Sequence, residues 1–217
     1  MFNYNGKFMS TLLSLTDAVV LGILWLVCCV PVITIGAAST AFYYAYNKAV
    51  CQKMGYAWRE FFYGFKSNFK QATKLWLILL ALGAVLLADG YLLLVYGEVL
   101  PAADVFMGIT LVLTVALVMW GCVLFPYIAR FEVGTKEALK NAAIIMLANL
   151  FLGILLVILY GAAIVLSLRI PFVGILAPTV YMYFANRILE HVFRKYMTQE
   201  NLKRETEIQQ LDEHGNR

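Results

Sequence analysis

Residues 18–47 read AVVLGILWLVCCVPVITIGAASTAFYYAYN and contain no charged side chain. An apolar run of this length cannot remain in water, and it is long enough to enter a bilayer core about 30 Å thick. Its middle contains Pro31, Thr34 and Gly36, in the order PVITIG. Proline lacks the N–H group and clashes with the preceding turn, and a β-branched run that ends in glycine gives a helix little support. The stretch therefore predicts two membrane-embedded helices that meet at a sharp break.

The composition of the whole chain agrees with this interpretation. Of its 217 residues, 62% are hydrophobic and 14% are charged, and the mean hydropathy is +0.78. A soluble domain has about a quarter of its residues charged. We therefore expect an all-α fold, a polytopic transmembrane helix bundle with five to six membrane-embedded helices and a cytoplasmic-side interfacial amphipathic helix.

The expected boundaries follow from the apolar runs and the charged segments between them. A single transmembrane domain covers 1–197, and residues 198–217 form a polar C-terminal tail. The expected membrane helices are about 8–30, 34–53, 75–96, 105–129, 139–168 and 171–197, and the interfacial helix is about 57–71. Whether the chain crosses five or six times, and hence on which side it begins, depends on whether residues 31–47 span the membrane.

Two features of the second helix concern packing. The hydroxyl of Thr34 is placed to cap its first turn by accepting from free N–H groups. Ala37, Ala41, Ala45 and Ala49 recur at a spacing of four. This spacing places small side chains on one stripe where another helix can approach closely.

Residues 48–74 combine six basic residues with one acid. Five aromatic residues recur there at helical spacing and share one helix face: Trp58, Phe61, Phe62, Phe65 and Phe69. An aromatic face with a basic flank is typical of the membrane–water boundary next to anionic lipid heads. The same face is also suited to docking a cytoplasmic partner, so both interpretations stay open.

Lysine and arginine set the orientation. Segments 48–74, 130–140 and 187–217 carry six, three and six bases, whereas 97–104 carries none. Because basic loops stay in the cytoplasm, the rich segments and the C-terminus are predicted to be cytoplasmic. Residues 31–48 also resemble 171–187, since each stretch begins with proline and ends on asparagine followed by a base.

Three polar residues within the predicted spans are candidates for an intramembrane polar site. Asp89 is the only charge in its span, and a buried carboxylate needs a partner or water to ionise. Arg169 is the nearest predicted counter-charge, and Asn149 is the most polar side chain of residues 142–168. A structural ion pair or an interfacial position of the carboxylate accounts for Asp89 more readily than a proton- or substrate-binding role does.

Sequence motifs for catalysis are missing. The two histidines are outside any HExxH pattern, the four cysteines show no CxxC spacing, and no GxSxG or phosphate-binding loop occurs. We therefore expect no enzyme activity, no catalytic residue, no metal site and no cofactor. The basic residues are explained by membrane orientation, so nucleic acid is not an expected partner, and the lipid bilayer is.

The stretch from Val30 to Tyr43, VPVITIGAASTAFY, resembles the YesL-like family of bacterial integral membrane proteins, a domain of unknown function. The resemblance continues at Phe62, at 68–73 (NFKQAT) and at Trp76, and it covers most of residues 10–195. Family members often have asparagine where this chain has Gly22, so any polar role in the first helix is not carried over.

This resemblance implies a multi-pass protein of a Gram-positive plasma membrane, often encoded near carbohydrate-uptake genes, and it assigns no catalytic residues. Two functions stay open. The first is a non-enzymatic accessory or regulatory component linked to carbohydrate uptake, with a carbohydrate transporter or sensor membrane protein as partner. The alternative is a small-molecule carrier or permease component that uses the broken helix at Pro31–Gly36 and Asp89. The oligomeric state does not follow from the sequence.

Overall fold

A computed structural model describes residues 4–97, 102–131 and 133–197. The elements are α1 (Tyr4–Cys29), a 3-10 turn (Val32–Thr34), α2 (Ile35–Ala45), a π-helical segment (Tyr46–Cys51), α3 (Ala57–Tyr96), α4 (Ala103–Arg130), α5 (Thr135–Ala148), α6 (Leu150–Arg169) and α7 (Pro171–Tyr196). The described part of the chain is all-helical and contains no strand, so the predicted fold class is confirmed at this level.

Within the described ranges, four helices are long and apolar enough to cross a membrane: Thr11–Cys29 within α1, and α3, α4 and α6. The chain is therefore a multi-pass membrane protein. The finer count of five to six spans is not confirmed, because the remaining two candidates fall short. One is α2, which is too short, since a helix of its length extends only about 17 Å. The other is α7, which carries charges in its second half.

The centre of the bundle is α2, which packs against α1, α3 and α4. All four members of its alanine stripe are buried, as the spacing of four predicted. Gly36 brings the start of α2 closest to α3, because a Cβ atom there would lie 2.6 Å from Trp76 Cβ and 2.8 Å from the Ala72 carbonyl oxygen. Only glycine permits this approach of the two backbones.

The helix boundaries differ from the sequence-based ones at three places. The interfacial helix expected at 57–71 and the span expected at 75–96 are one continuous helix of 40 residues, α3. At residues 72–74 the sequence passes from a basic segment to an apolar one. These residues include neither proline nor glycine, so nothing ends the helix there. Ala72 and Leu75 are both fully buried, which fixes the junction inside the bundle.

The helix expected at 139–168 is divided into α5 and α6 at Asn149, whose backbone leaves the helical region at φ −130° and ψ 46°. The helix expected at 34–53 becomes wider after Ala45, where the π-helical segment begins. The predicted tail at 198–217 lies outside the described residues.

Candidate functional site

The break between α1 and α2 lies where the sequence predicted it, but three of its carbonyl groups already have partners within the protein. Trp76 Nε1 donates to the Val32 carbonyl at 2.7 Å, and the Thr34 hydroxyl lies within hydrogen-bond distance of the Cys28 and Pro31 carbonyls. The Thr34 hydroxyl therefore donates to carbonyls that precede it in the chain. Its side chain makes no capping bond to α2, contrary to the expected role. The Cys28, Pro31 and Val32 carbonyls are thus not free to bind a solute.

The three candidate polar residues are in separate places. Asp89 is exposed and accepts a hydrogen bond from the Thr110 hydroxyl of α4 at 2.5 Å. Arg169 is exposed at the end of α6, and among the described residues no ion pair joins it to Asp89. Asn149 forms the α5–α6 break, where its Nδ2 donates to the Ile145 carbonyl at 3.0 Å and to the Tyr196 hydroxyl at 3.3 Å.

The five aromatic residues of α3 divide into a buried and an exposed group. Phe61 is 0% exposed and stacks on Phe65, with ring centroids 6.3 Å apart. Trp58 is 57% exposed, and Phe62 and Phe69 are also exposed. The buried group holds this end of α3 against the bundle, and the exposed group is available to an outside surface.

The largest group of interacting polar side chains, which we call the polar cluster, joins the α2 region, α4 and α7. It is centred on Glu190 Oε1, which accepts from the Tyr43 hydroxyl at 2.9 Å and from Asn47 Nδ2 at 2.7 Å, and pairs with Arg130 Nε at 3.3 Å. The Glu190 and Arg130 side chains are only 14% and 15% exposed. Partners of this kind offset part of the cost of enclosing a carboxylate in the protein.

The π-helical segment supplies one side of this cluster. Gln52 Nε2 donates to Asn47 Oδ1 at 2.7 Å, which orients the Asn47 amide toward Glu190. The Cys51 thiol donates to Asn186 Oδ1 at 3.3 Å, while Asn186 Nδ2 is buried without a partner among the described residues. Single wide turns of this kind often occur at functional sites.

The polar cluster does not follow from the sequence, because Arg130 and Glu190 both look like ordinary charges at the ends of spans. One signal was present. The two similar segments each end on asparagine, at Asn47 and Asn186, and the structure brings both into this cluster.

A second ion pair closes the connection between α2 and α3. Lys48 Nζ lies 2.9 Å from Glu60 Oε2, and its ammonium also faces the rings of Tyr44 and Tyr63 at 5.5 and 5.9 Å. This pair includes the only acid of the basic segment 48–74, so that carboxylate is used within the fold.

A cavity of about 810 Å³ lies between α1, α2, α3, α4, α6 and α7. Its volume falls within the range of small-molecule sites, roughly 300–1,000 Å³. Aliphatic and aromatic side chains form most of its wall, and Gly83 and Gly121 face it from α3 and α4. Of the sequence-predicted site residues, none of those described lines this cavity.

Within 4–97, 102–131 and 133–197, no three His, Cys, Asp or Glu side chains are grouped so that they could hold a metal ion. The arrangement can therefore bind through hydrogen bonds at the polar cluster, through apolar contact in the cavity, and through the exposed aromatic residues of α3.

Comparison with known proteins gives one result. No curated protein and no solved structure matches the chain. Residues 18–90, which include the break, α2 and most of α3, match the model of a family described as "Protein of unknown function, DUF624". Over this part of its length the chain is therefore similar to a family whose function is unknown.

Proposed function

We propose that this multi-pass protein is a non-enzymatic accessory or regulatory component that docks on another membrane protein through the exposed end of α3. The observation that carries the proposal is the length and surface of that helix, which runs without interruption for 40 residues. At the rise of an α-helix it extends about 60 Å, whereas the hydrocarbon core of a bilayer is about 30 Å thick. About half of α3 therefore extends beyond the hydrocarbon region.

The extending half has the composition of a binding surface. Trp58 and Phe62 are exposed, and Arg59 and Lys66 lie exposed beside them. Aromatic residues and arginine are enriched at the centres of protein interfaces. Because Phe61 is fully buried next to them on the same helix, the exposed residues are presented on a rigid support.

The proposal also includes a cellular setting. The distribution of lysine and arginine supports a cytoplasmic position for this half of α3 and for the C-terminus. The resemblance to the YesL-like family supports a Gram-positive plasma membrane and a carbohydrate transporter or sensor as the partner.

A small-molecule carrier is the second candidate, and the cavity between the spans is the observation that favours it. The carrier site predicted from the sequence, at Pro31–Gly36 and Asp89, has less support. The carbonyls of the break are bonded to Thr34 and Trp76, and Asp89 is bonded to Thr110 outside the cavity.

Site-specific photo-crosslinking in cells tests the docking proposal. A benzophenone side chain at Phe62 should give an adduct with one membrane protein, and Trp58→Ala should weaken that adduct. The same group at Tyr91, exposed on the other half of α3, is the matched control and should give lipid adducts. If the benzophenone at position 62 gives only lipid adducts, as the control at Tyr91 does, this position anchors the helix to the bilayer and the docking proposal fails.

Flux measurements distinguish the two candidate functions. The purified chain in liposomes should not move sugars across the bilayer by itself. Sugar flux by the purified chain alone would refute the accessory function and establish the carrier.

A further inference from the structure

The cavity has walls that suit a hydrocarbon chain rather than a polar solute. None of its lining residues, all of which belong to the described part of the chain, is charged. Several of its polar side chains are bonded within the walls. Trp25 Nε1 donates to Ser39 Oγ at 3.1 Å, the Ser167 hydroxyl donates to the Ala163 carbonyl at 2.6 Å, and Trp76 donates to the backbone of the helix break.

A sugar in this cavity would lose its hydrogen bonds to water and would find few free groups to replace them. Each polar group buried without a partner costs about 1–3 kcal/mol, and a sugar carries several hydroxyl groups. An aliphatic chain has no hydrogen bonds to water to lose, and it gains van der Waals contact with the walls.

The mouth of the cavity opens toward lipid. Leu87 of α3 and Leu168 of α6 both line it, and they are 73% and 79% exposed. Both belong to helices long and apolar enough to span the membrane. The apolar wall is thus continuous with the surface that the bilayer covers, so the molecules at the mouth are lipid chains.

We propose that the cavity is a binding site for an acyl chain of a membrane phospholipid, which enters sideways past Leu87 and Leu168. Gly83 and Gly121 keep the space open, since a side chain at either position would occupy part of it. This site is separate from the exposed end of α3, so it does not depend on the proposed docking function.

The test uses the full chain in phosphatidylcholine–phosphatidylglycerol vesicles that contain a phospholipid with a diazirine midway along one acyl chain. After illumination, mass spectrometry locates the adducts. Leu79 and Met182 line the cavity and are buried, so they react only with a chain inside it, whereas Leu94 is exposed and serves as the internal standard. The wild-type chain should carry adducts at both buried residues.

Cavity-filling variants then lower the ratio of buried to exposed adducts. Gly83→Leu and Gly121→Leu are tolerable, because a Cβ atom there meets its nearest side-chain atom at an ordinary 3.7 or 3.5 Å. Each should lower the ratio at least about tenfold, which corresponds to about 1.4 kcal/mol. Gly161→Leu on α6 is the matched control, since Gly161 does not line the cavity and has open space around it.

The outcome is decisive in each case. A wild-type chain without adducts at Leu79 and Met182 overturns the proposal without any variant. If those adducts occur but both filled variants keep the wild-type ratio, the chain reaches these residues by another route and the proposal also fails. When one variant does not fold, the other and the wild-type measurement still decide.

Discussion

Removing the Glu190 carboxylate should destabilise the protein more than any other loss of a charge among the described residues. Glu190→Ala leaves the Arg130 guanidinium, the Tyr43 hydroxyl and the Asn47 amide enclosed without their shared acceptor. Breaking a buried pair costs about 3–5 kcal/mol. The remaining 14% exposure lets water relieve part of this cost, so we expect the lower end. For a protein of this size, about 3 kcal/mol corresponds to a decrease in Tm of roughly 6–12 °C.

The measurement is thermal unfolding of the purified protein in detergent, followed by circular dichroism. Glu190→Gln keeps an acceptor oxygen and the volume, so it should cost about 1–2 kcal/mol. The control is Glu137→Ala, which removes an exposed acid in the first turn of α5. This control should change stability by less than about 0.5 kcal/mol.

A double-mutant cycle with Arg130→Ala separates the pair from the other contacts. If the pair contributes as its geometry indicates, the double variant should be more stable than the sum of the single changes predicts, by about 0.5–3 kcal/mol. A decrease in Tm of less than about 2 °C for Glu190→Ala, which corresponds to less than about 1 kcal/mol, or strict additivity in the cycle, would refute the reasoning.

Three further predictions concern single positions. A Cβ atom at Gly36 collides with α3, whereas Gly161 has open space around it. Thermal unfolding should therefore show a loss of about 1–3 kcal/mol for Gly36→Ala and a neutral effect or a gain of up to about 1 kcal/mol for Gly161→Ala. Phe61 is buried and Trp58 is exposed on the same helix. Phe61→Ala should cost about 3–5 kcal/mol and Trp58→Ala less than about 0.5 kcal/mol, and equal losses would mean that the two side chains are not buried to different extents. Burial, reinforced by the carboxylate of the polar cluster, raises the pKa of the Cys51 thiol. Its alkylation by maleimide at neutral pH should be slower than that of a free thiol and should accelerate as the pH rises, because the thiolate is the nucleophile; a pH profile like that of a model thiol would contradict this.

The sequence predicted the features that depend on local composition. Charge-free runs locate the spans because burying a charge in lipid is costly, and Pro31 with Gly36 locates the break because those residues limit the backbone directly. The alanine stripe indicated a packing face because a spacing of four keeps residues on one side of a helix.

The features that depend on packing between distant parts of the chain could not be predicted from the sequence. Arg130 and Glu190 are far apart in sequence, and nothing in either local segment indicates that α4 and α7 place them 3.3 Å apart. The continuous α3 was missed for a different reason, because a change from basic to apolar composition marks the membrane boundary without ending a helix. The cavity was missed because space between helices leaves no pattern in a single sequence.

The uninterrupted α3 gives the molecule a lever. Its midpoint lies at Trp76, where the contact with Gly36 and the hydrogen bond to Val32 hold it, so this position acts as a fulcrum. A rotation of about 5° around that point displaces each tip by roughly 3 Å in opposite directions, given a half-length of about 30 Å. Because Phe61 is buried near the Trp58 end, such a rotation carries the residues packed on it along, and a force applied at Trp58 reaches Tyr91 as a somewhat smaller movement in the opposite direction.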